Sequence, residues 1–175
     1  MIRRGLISLV VLAACVGLPS CGYHVVGKTD LLPKEIRTIA IPAFGNLTNR
    51  VRFSDALPTA LTREFIKRTR YRVVADPNEA DAILSGAVTQ YSSYPILIDQ
   101  ATGRPSGVQV IAVMQVRLTE RVSGKVLFER PAFEARQRYE ISLDQLAYFE
   151  ESGQAIERLS QETARTLVAA VLENF

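Results

Sequence analysis

The stretch "VQVIAVMQVRLTERVSGKVLFERPAFEARQRYEI", Val108 to Ile141, decides the fold. Val108, Val110, Ala112, Met114, Val116 and Leu118 take every second position, so one face of a strand here is wholly apolar. Ser123-Gly124 supplies a turn. On the return, Phe133, Ala135, Gln137, Tyr139 and Ile141 alternate with Glu134, Arg136, Arg138 and Glu140. This is a long hairpin in an antiparallel sheet with one covered face and one wetter face.

Upstream, "YRVVADPNEADAILSGAVTQYSSY" predicts a short strand, a turn at Asp76-Pro77-Asn78 and a longer strand from Ala82 to about Tyr91. "PILIDQATGRPSG", Pro95 to Gly107, reads as a loop. In "FSDALPTALTREFIKRTRYR", Leu57, Leu61 and Phe65 recur every four residues beside Ala60, the stripe of an amphipathic helix. Ser54 or Asp55 is placed to cap it, with Pro58 in the first turn. "EIRTIAIPAF", Glu35 to Phe44, predicts a first strand and "GNLTN" a turn after it. Downstream, Ile156, Leu159, Thr163, Leu167, Ala170 and Val171 mark a second helix over roughly Tyr148 to Glu173. The order strand, helix, antiparallel strands, helix predicts an α+β fold. It is a two-layer sandwich with two helices on one face of a mixed, mostly antiparallel sheet of about four strands.

At 175 residues, 47% of them hydrophobic, with no repeat or low-complexity tract, the chain has the length and core of a single domain. Its start is different in kind. Arg3 and Arg4 precede "GLISLVVLAACVGL", fourteen uncharged residues. A membrane span needs about 20, so the run reads as a signal peptide. A cysteine at its exit makes it a bacterial lipoprotein signal. Two compete: "LAAC" at Cys15 has small residues before the thiol but a short apolar segment, whereas "LPSC" at Cys21 carries Pro19. Local chemistry leaves both open.

The formal charge of +3 includes Arg3 and Arg4; without them 19 basic residues face 18 acidic ones, so nucleic acid is not an expected partner. Processing at Cys21 would leave one thiol and no disulfide. One acyl chain anchors marginally, at about 0.8 kcal/mol per buried methylene, and several together anchor permanently. Gly22, where an Asp commonly retains a lipoprotein in the inner membrane, places the expected site on the periplasmic face of the outer membrane.

Catalytic chemistry is not expected. The one histidine, His24, sits three residues from Cys21, and no His/Cys/Asp cluster has ligand spacing. "SGK" at Ser123 to Lys125 is a hairpin turn and not a phosphate loop. Two cationic groups stand out. Arg63, Lys67, Arg68, Arg70 and Arg72 fall within ten residues against Glu64 alone. They suit either a helix C-terminus or a phosphate-seeking patch. Arg117 and Arg121, with Arg136 and Arg138 on the return strand, either pair with Glu120, Glu134 and Glu140 or bind an anion.

"CGYHVVG" at Cys21 to Gly27, then "IRTIAIPAFGNLT", "EADAILSGAVTQY" and "VRLTERVSGKVLF", resemble the lipopolysaccharide (LPS)-assembly lipoprotein family, LptE-type. The resemblance runs over the whole chain from Cys21, and Pro19 departs from its usual lipidation motif. It favours Cys21 as the acylated residue, dividing the chain into a leader, 1–20, and one periplasmic domain, 21–175. It implies N-acyl and S-diacylglycerol groups on Cys21, no other cofactor, two helices against a four-stranded sheet, and a plug within a large LptD-type outer-membrane β-barrel that handles LPS. No LPS-contacting residue carries over by position. Arg63, Lys67, Arg70, Arg117, Arg121, Arg136 and Arg138 are candidates from charge alone. The alternative is an accessory lipoprotein of a lipid ABC transport system in the envelope.

Overall fold

The computed structural model describes residues 32–140 and 145–174. The expected leader, 1–20, with Cys15, and Cys21 and His24 after it, lie outside the described residues. Among the described residues, six strands and two α-helices follow in order: β1 (Thr38–Ala40), β2 (Gly45–Asn46), α1 (Val51–Arg68), β3 (Arg72–Val74), β4 (Ala82–Ile98), β5 (Pro105–Glu120), β6 (Val126–Glu140) and α2 (Gln145–Glu173). The sheet runs β3-β1-β4-β5-β6, with β2 also against β4. β1 lies parallel to β3 and β4, and β2 is parallel to β4, while β4, β5 and β6 are antiparallel. The expected mixed two-layer α+β architecture is present, with six strands in place of about four.

The short strand expected in "YRVV" is present as β3. The strand not foreseen is β2, whose two residues are too few for a period-two pattern to declare itself. The expected first strand, Glu35 to Phe44, shrinks to Thr38–Ala40: the Ile36 amide closes a turn onto the Pro33 carbonyl at 2.9 Å before it, and Pro42 beyond it has no N–H to give a ladder. Asp81 clamps this short strand. Its carboxylate accepts from the Arg37 and Thr38 amides, both at 2.9 Å, and from the Thr38 hydroxyl at 2.8 Å. The Arg37 amide above all, and the Thr38 hydroxyl and amide with it, hold the Asp81 carboxyl below its ordinary range against the opposing pull of burial.

Helix α1 begins at Val51, earlier than expected. Arg50 is its N-cap and makes no side-chain capping bond, so Pro58 sits in the helix interior and not in the first turn. The Ser54 carbonyl therefore has no intrahelical N–H from position 58. The apolar stripe holds the helix down instead: Phe53, Leu57, Leu61 and Phe65 are completely buried, each contributing about 2 kcal/mol by its removal from water. Helix α2 buries Leu159, Thr163, Leu167 and Val171 on the same core, together with Ala164 and Val168. Arg68 joins the helices, its guanidinium donating to the Arg165 carbonyl at 3.2 Å.

The apolar row of β5, Val108 through Leu118 at every second position, is buried beneath the helices as expected. On β4, Phe44 lies across Gly86, where a Cβ would stand 2.4 Å from the Phe44 ring. The segment Pro95 to Gly107 is not a loop throughout. β4 continues to Ile98 and β5 starts at Pro105, leaving Asp99–Arg104 as the turn. Pro95 does not stop β4, because the strand's other edge has no described partner there and a missing N–H interrupts nothing.

Candidate functional site

The helices cover one face of the sheet; the other carries Ser85, Gln115, Arg117, Glu129, Glu134 and Arg136 exposed. Alternation puts Arg117, Arg136 and Arg138 on this face, in register with Glu129, Ile111 and Gln109 respectively. Arg117 is paired with Glu129, its Nε at 3.0 Å from the carboxylate, and Arg136 is paired with Glu134. The Glu134 carboxylate, by hydrogen bond and charge, raises the Arg136 pKa further above its ordinary value. Arg138 differs: its Nε donates at 3.2 Å to the side-chain oxygen of buried Gln109, a neutral partner.

The other candidates lie elsewhere. Arg121, in the β5–β6 turn, donates from Nε to the Ala80 carbonyl at 2.6 Å and from its amide to the Asp81 carbonyl at 2.8 Å, closing the sheet end over the Asp81 clamp. Arg63 and Lys67 are exposed on α1, and Arg70 is exposed just beyond it. The seven candidates therefore occupy separate regions, with Arg136 and Arg138 adjacent on one strand. Arg117, paired six β5 positions from Ile111, is about 20 Å from Arg136 along the sheet.

Two features were not legible as sites in the sequence. A cavity of about 390 Å³ opens between the start of α1, the sheet and α2. Arg50 and Arg52 stand at its helical rim, with Phe53, Tyr91, Tyr139 and Leu159 among its lining. The Phe53 and Tyr91 rings meet at 6.4 Å between centroids. Burial first, then the neighbouring Tyr139, pushes the Tyr91 hydroxyl pKa upward, so it stays a neutral donor. No acid occupies the first turn of α1. Cationic edges over an apolar floor suit an amphiphile better than a small polar metabolite.

The second feature is the far end of the β4–β5 hairpin. Tyr94 is 41% exposed, Ile96 37%, Leu97 56% and Ile98 55%. Leu97 lies over Gly107, whose missing Cβ leaves room for it. Beyond this apolar band the turn is polar. The Asp99 carboxylate accepts from the Thr102 amide at 2.7 Å, the Thr102 hydroxyl at 2.9 Å and the Ala101 amide at 3.0 Å. These bonds, the Thr102 amide first, hold its pKa below the ordinary value. The run "YPILI" carried the signal in sequence, but its proline made it read as a loop.

Among the described residues no group of His, Cys, Asp and Glu has the placement of a metal site. No described helix is long and apolar enough to cross a membrane, which says nothing of β-barrels.

No curated protein matches the chain. Among solved structures it is similar to protein XCC0632 from Xanthomonas campestris, with 15% identity, 85% of this chain and 91% of that one covered, and a TM-score of 0.55. It is also similar to the rare lipoprotein B from Shewanella oneidensis, with 15% identity, coverage of 76% and 94%, and a TM-score of 0.50. The protein CT253 from Chlamydia trachomatis aligns at 10% identity over 78% and 98%, with a TM-score of 0.52. At these identities the likeness is one of fold. The family model described as "Lipopolysaccharide-assembly" matches residues 36–171, from the approach to β1 to the end of α2. The chain is thus a member of the LptE family of lipopolysaccharide-assembly proteins.

Proposed function

We propose that this chain is an outer-membrane lipoprotein, acylated on Cys21 and held on the periplasmic side, which docks as plug and assembly partner in an LptD-type β-barrel and aids LPS insertion. The single observation that carries the docking part is the head of the β4–β5 hairpin. Tyr94 and Ile96 to Ile98 are exposed there as an apolar band ahead of the Asp99 turn, a surface suited to burial against another protein. The family match supports the LPS part. Of the cations, Arg138 is the favoured LPS contact, since a neutral amide holds its guanidinium and leaves the charge for a phosphate. Arg117 and Arg136 already face carboxylates.

The test is extraction in mild detergent and affinity purification of the tagged full chain. One large β-barrel is expected at near-equal amount. Recovery of inner-membrane transporter components without a barrel would overturn the reading in favour of an ABC-transport accessory.

A further inference from the structure

The cavity between the start of α1, the sheet and α2 belongs neither to the hairpin head nor to the Arg138 contact. Tyr139 lines it from the covered face of β6, whereas Arg138, one residue earlier, is on the opposite face. Its floor is apolar, with Phe53, Val110 and Leu159 all buried. A polar guest would leave hydrogen-bonding groups unpaired on such a floor. At about 390 Å³ the space falls near the lower end of the roughly 300–1,000 Å³ of small-molecule pockets, room for one acyl chain and not for a bundle of them. The mouth is of the opposite character. Arg50 and Arg52 stand there exposed, and among the described residues neither has a carboxylate partner, unlike Arg117 and Arg136.

We propose that this cavity is a binding site for a single-chain anionic amphiphile, its acyl chain over Phe53, Val110 and Leu159 and its phosphate or carboxylate head at Arg50 and Arg52. The Tyr91 hydroxyl also lines the cavity, within electrostatic reach of Arg50, and as a neutral donor it can hydrogen-bond the same head. Two cations at the start of α1, with no acid in its first turn, run against the helix dipole, and an anionic head offsets that cost. Arg50 gives the first-turn amides no side-chain acceptor, so they add to the attraction for an anion. The acyl chain removes the apolar floor from water, which a free phosphate cannot do. Occupancy of this site does not depend on the docking reading given above.

The test is titration calorimetry on the full chain in phosphatidylcholine nanodiscs, with the heat of empty nanodiscs subtracted. Dodecyl phosphate and dodecanoate are the anionic probes, and dodecanol is the neutral one. Saturable binding of one anionic probe per chain is expected, with dodecanol at least tenfold weaker. The double variant Arg50→Gln, Arg52→Gln should lose at least tenfold in affinity for the anionic probes and little for dodecanol. Ser93→Phe, which places a ring in the cavity opposite Val110, should lose at least tenfold for all three. Circular dichroism of both variants should match the parent, since all three side chains are exposed. Tighter binding of dodecyl phosphate would assign the head to a phosphorylated lipid and tighter binding of dodecanoate to a fatty acid, and either supports the site. No saturable binding to the parent, or dodecanol bound as tightly as the anions, would overturn the proposal without recourse to any variant. Undiminished binding by either variant would place the amphiphile elsewhere and would overturn it too.

Discussion

Substituting Gly86 by alanine tests the packing of the sheet against its first crossover. The added Cβ would lie 2.4 Å and 2.9 Å from two atoms of the Phe44 ring and 2.6 Å from the Gln115 carbonyl oxygen of the neighbouring strand. Ordinary carbon contacts start near about 3.5 Å, so something must move by roughly 1 Å. Phe44 is buried and β5 is fixed by pairing on both sides, so neither yields freely. Overpacking of this kind costs about 1–3 kcal/mol, and a contact with backbone puts Gly86→Ala at the upper end, about 3 kcal/mol. For a chain of this length that is a fall of roughly 6–12 °C in Tm. Phe44→Ala alone should cost about 3–5 kcal/mol through its cavity. Joined to Gly86→Ala it should cost less than the sum by about 1 kcal/mol or more, because the ring is no longer in the way. Gly153→Ala is the control: nothing lies within 4 Å of its added Cβ, and in α2 it should stabilise by about 0.5–1 kcal/mol. Urea unfolding followed by circular dichroism measures all four variants. A Gly86→Ala protein with the parent midpoint, or strictly additive costs with Phe44→Ala, would refute the reasoning.

Three further outcomes are expected. Asp81 has a lowered folded-state pKa, so its stabilisation is complete above the unfolded value near 3.8 and is lost as pH falls through that value toward the folded one. Asp81→Asn should therefore be less stable than the parent at pH 6, with the difference shrinking below about pH 4 in thermal melts. Arg138→Glu should weaken LPS binding in a salt-dependent manner while leaving the melting temperature nearly unchanged; equal affinity to the parent at low salt would remove Arg138 from the contact. Cys21→Ala should abolish palmitate labelling of the mature chain, and a chain still labelled would assign the anchor to Cys15.

What was legible in the sequence was whatever repeats. Six alternating apolar positions on β5 and the four-residue stripe on α1 fixed the two layers and the core, because burial of one face imposes a period on many residues at once. Where a local device replaces a period, the reading failed. α1 starts without a side-chain cap, so Ser54 and Asp55 looked like better starts than Arg50. β2 is held by pairing with Ala87 and Val88, forty residues away, and two residues carry no pattern. Pro95 looked like an end because a proline's meaning depends on whether its edge is paired. The cations were visible, but their partners were not. The register shift around Pro131 sets Glu129 opposite Arg117, and neither Glu120 nor Glu140 does so. The cavity required residues from α1, β4 and α2 to meet, which no spacing within one segment announces.

The order of pairing in this sheet also bears on how the chain folds. β4, β5 and β6 are joined by tight turns and pair with their neighbours in sequence, so their loops close cheaply. β1 must wait: its partners, beginning at Arg72 and Ala82, are more than thirty residues further along. In a polypeptide made from its N-terminus, the first third therefore emerges before the meander that will receive it. Acquisition of native structure should begin in the later half and travel backward, with α1 settling only once the β5 surface beneath it exists.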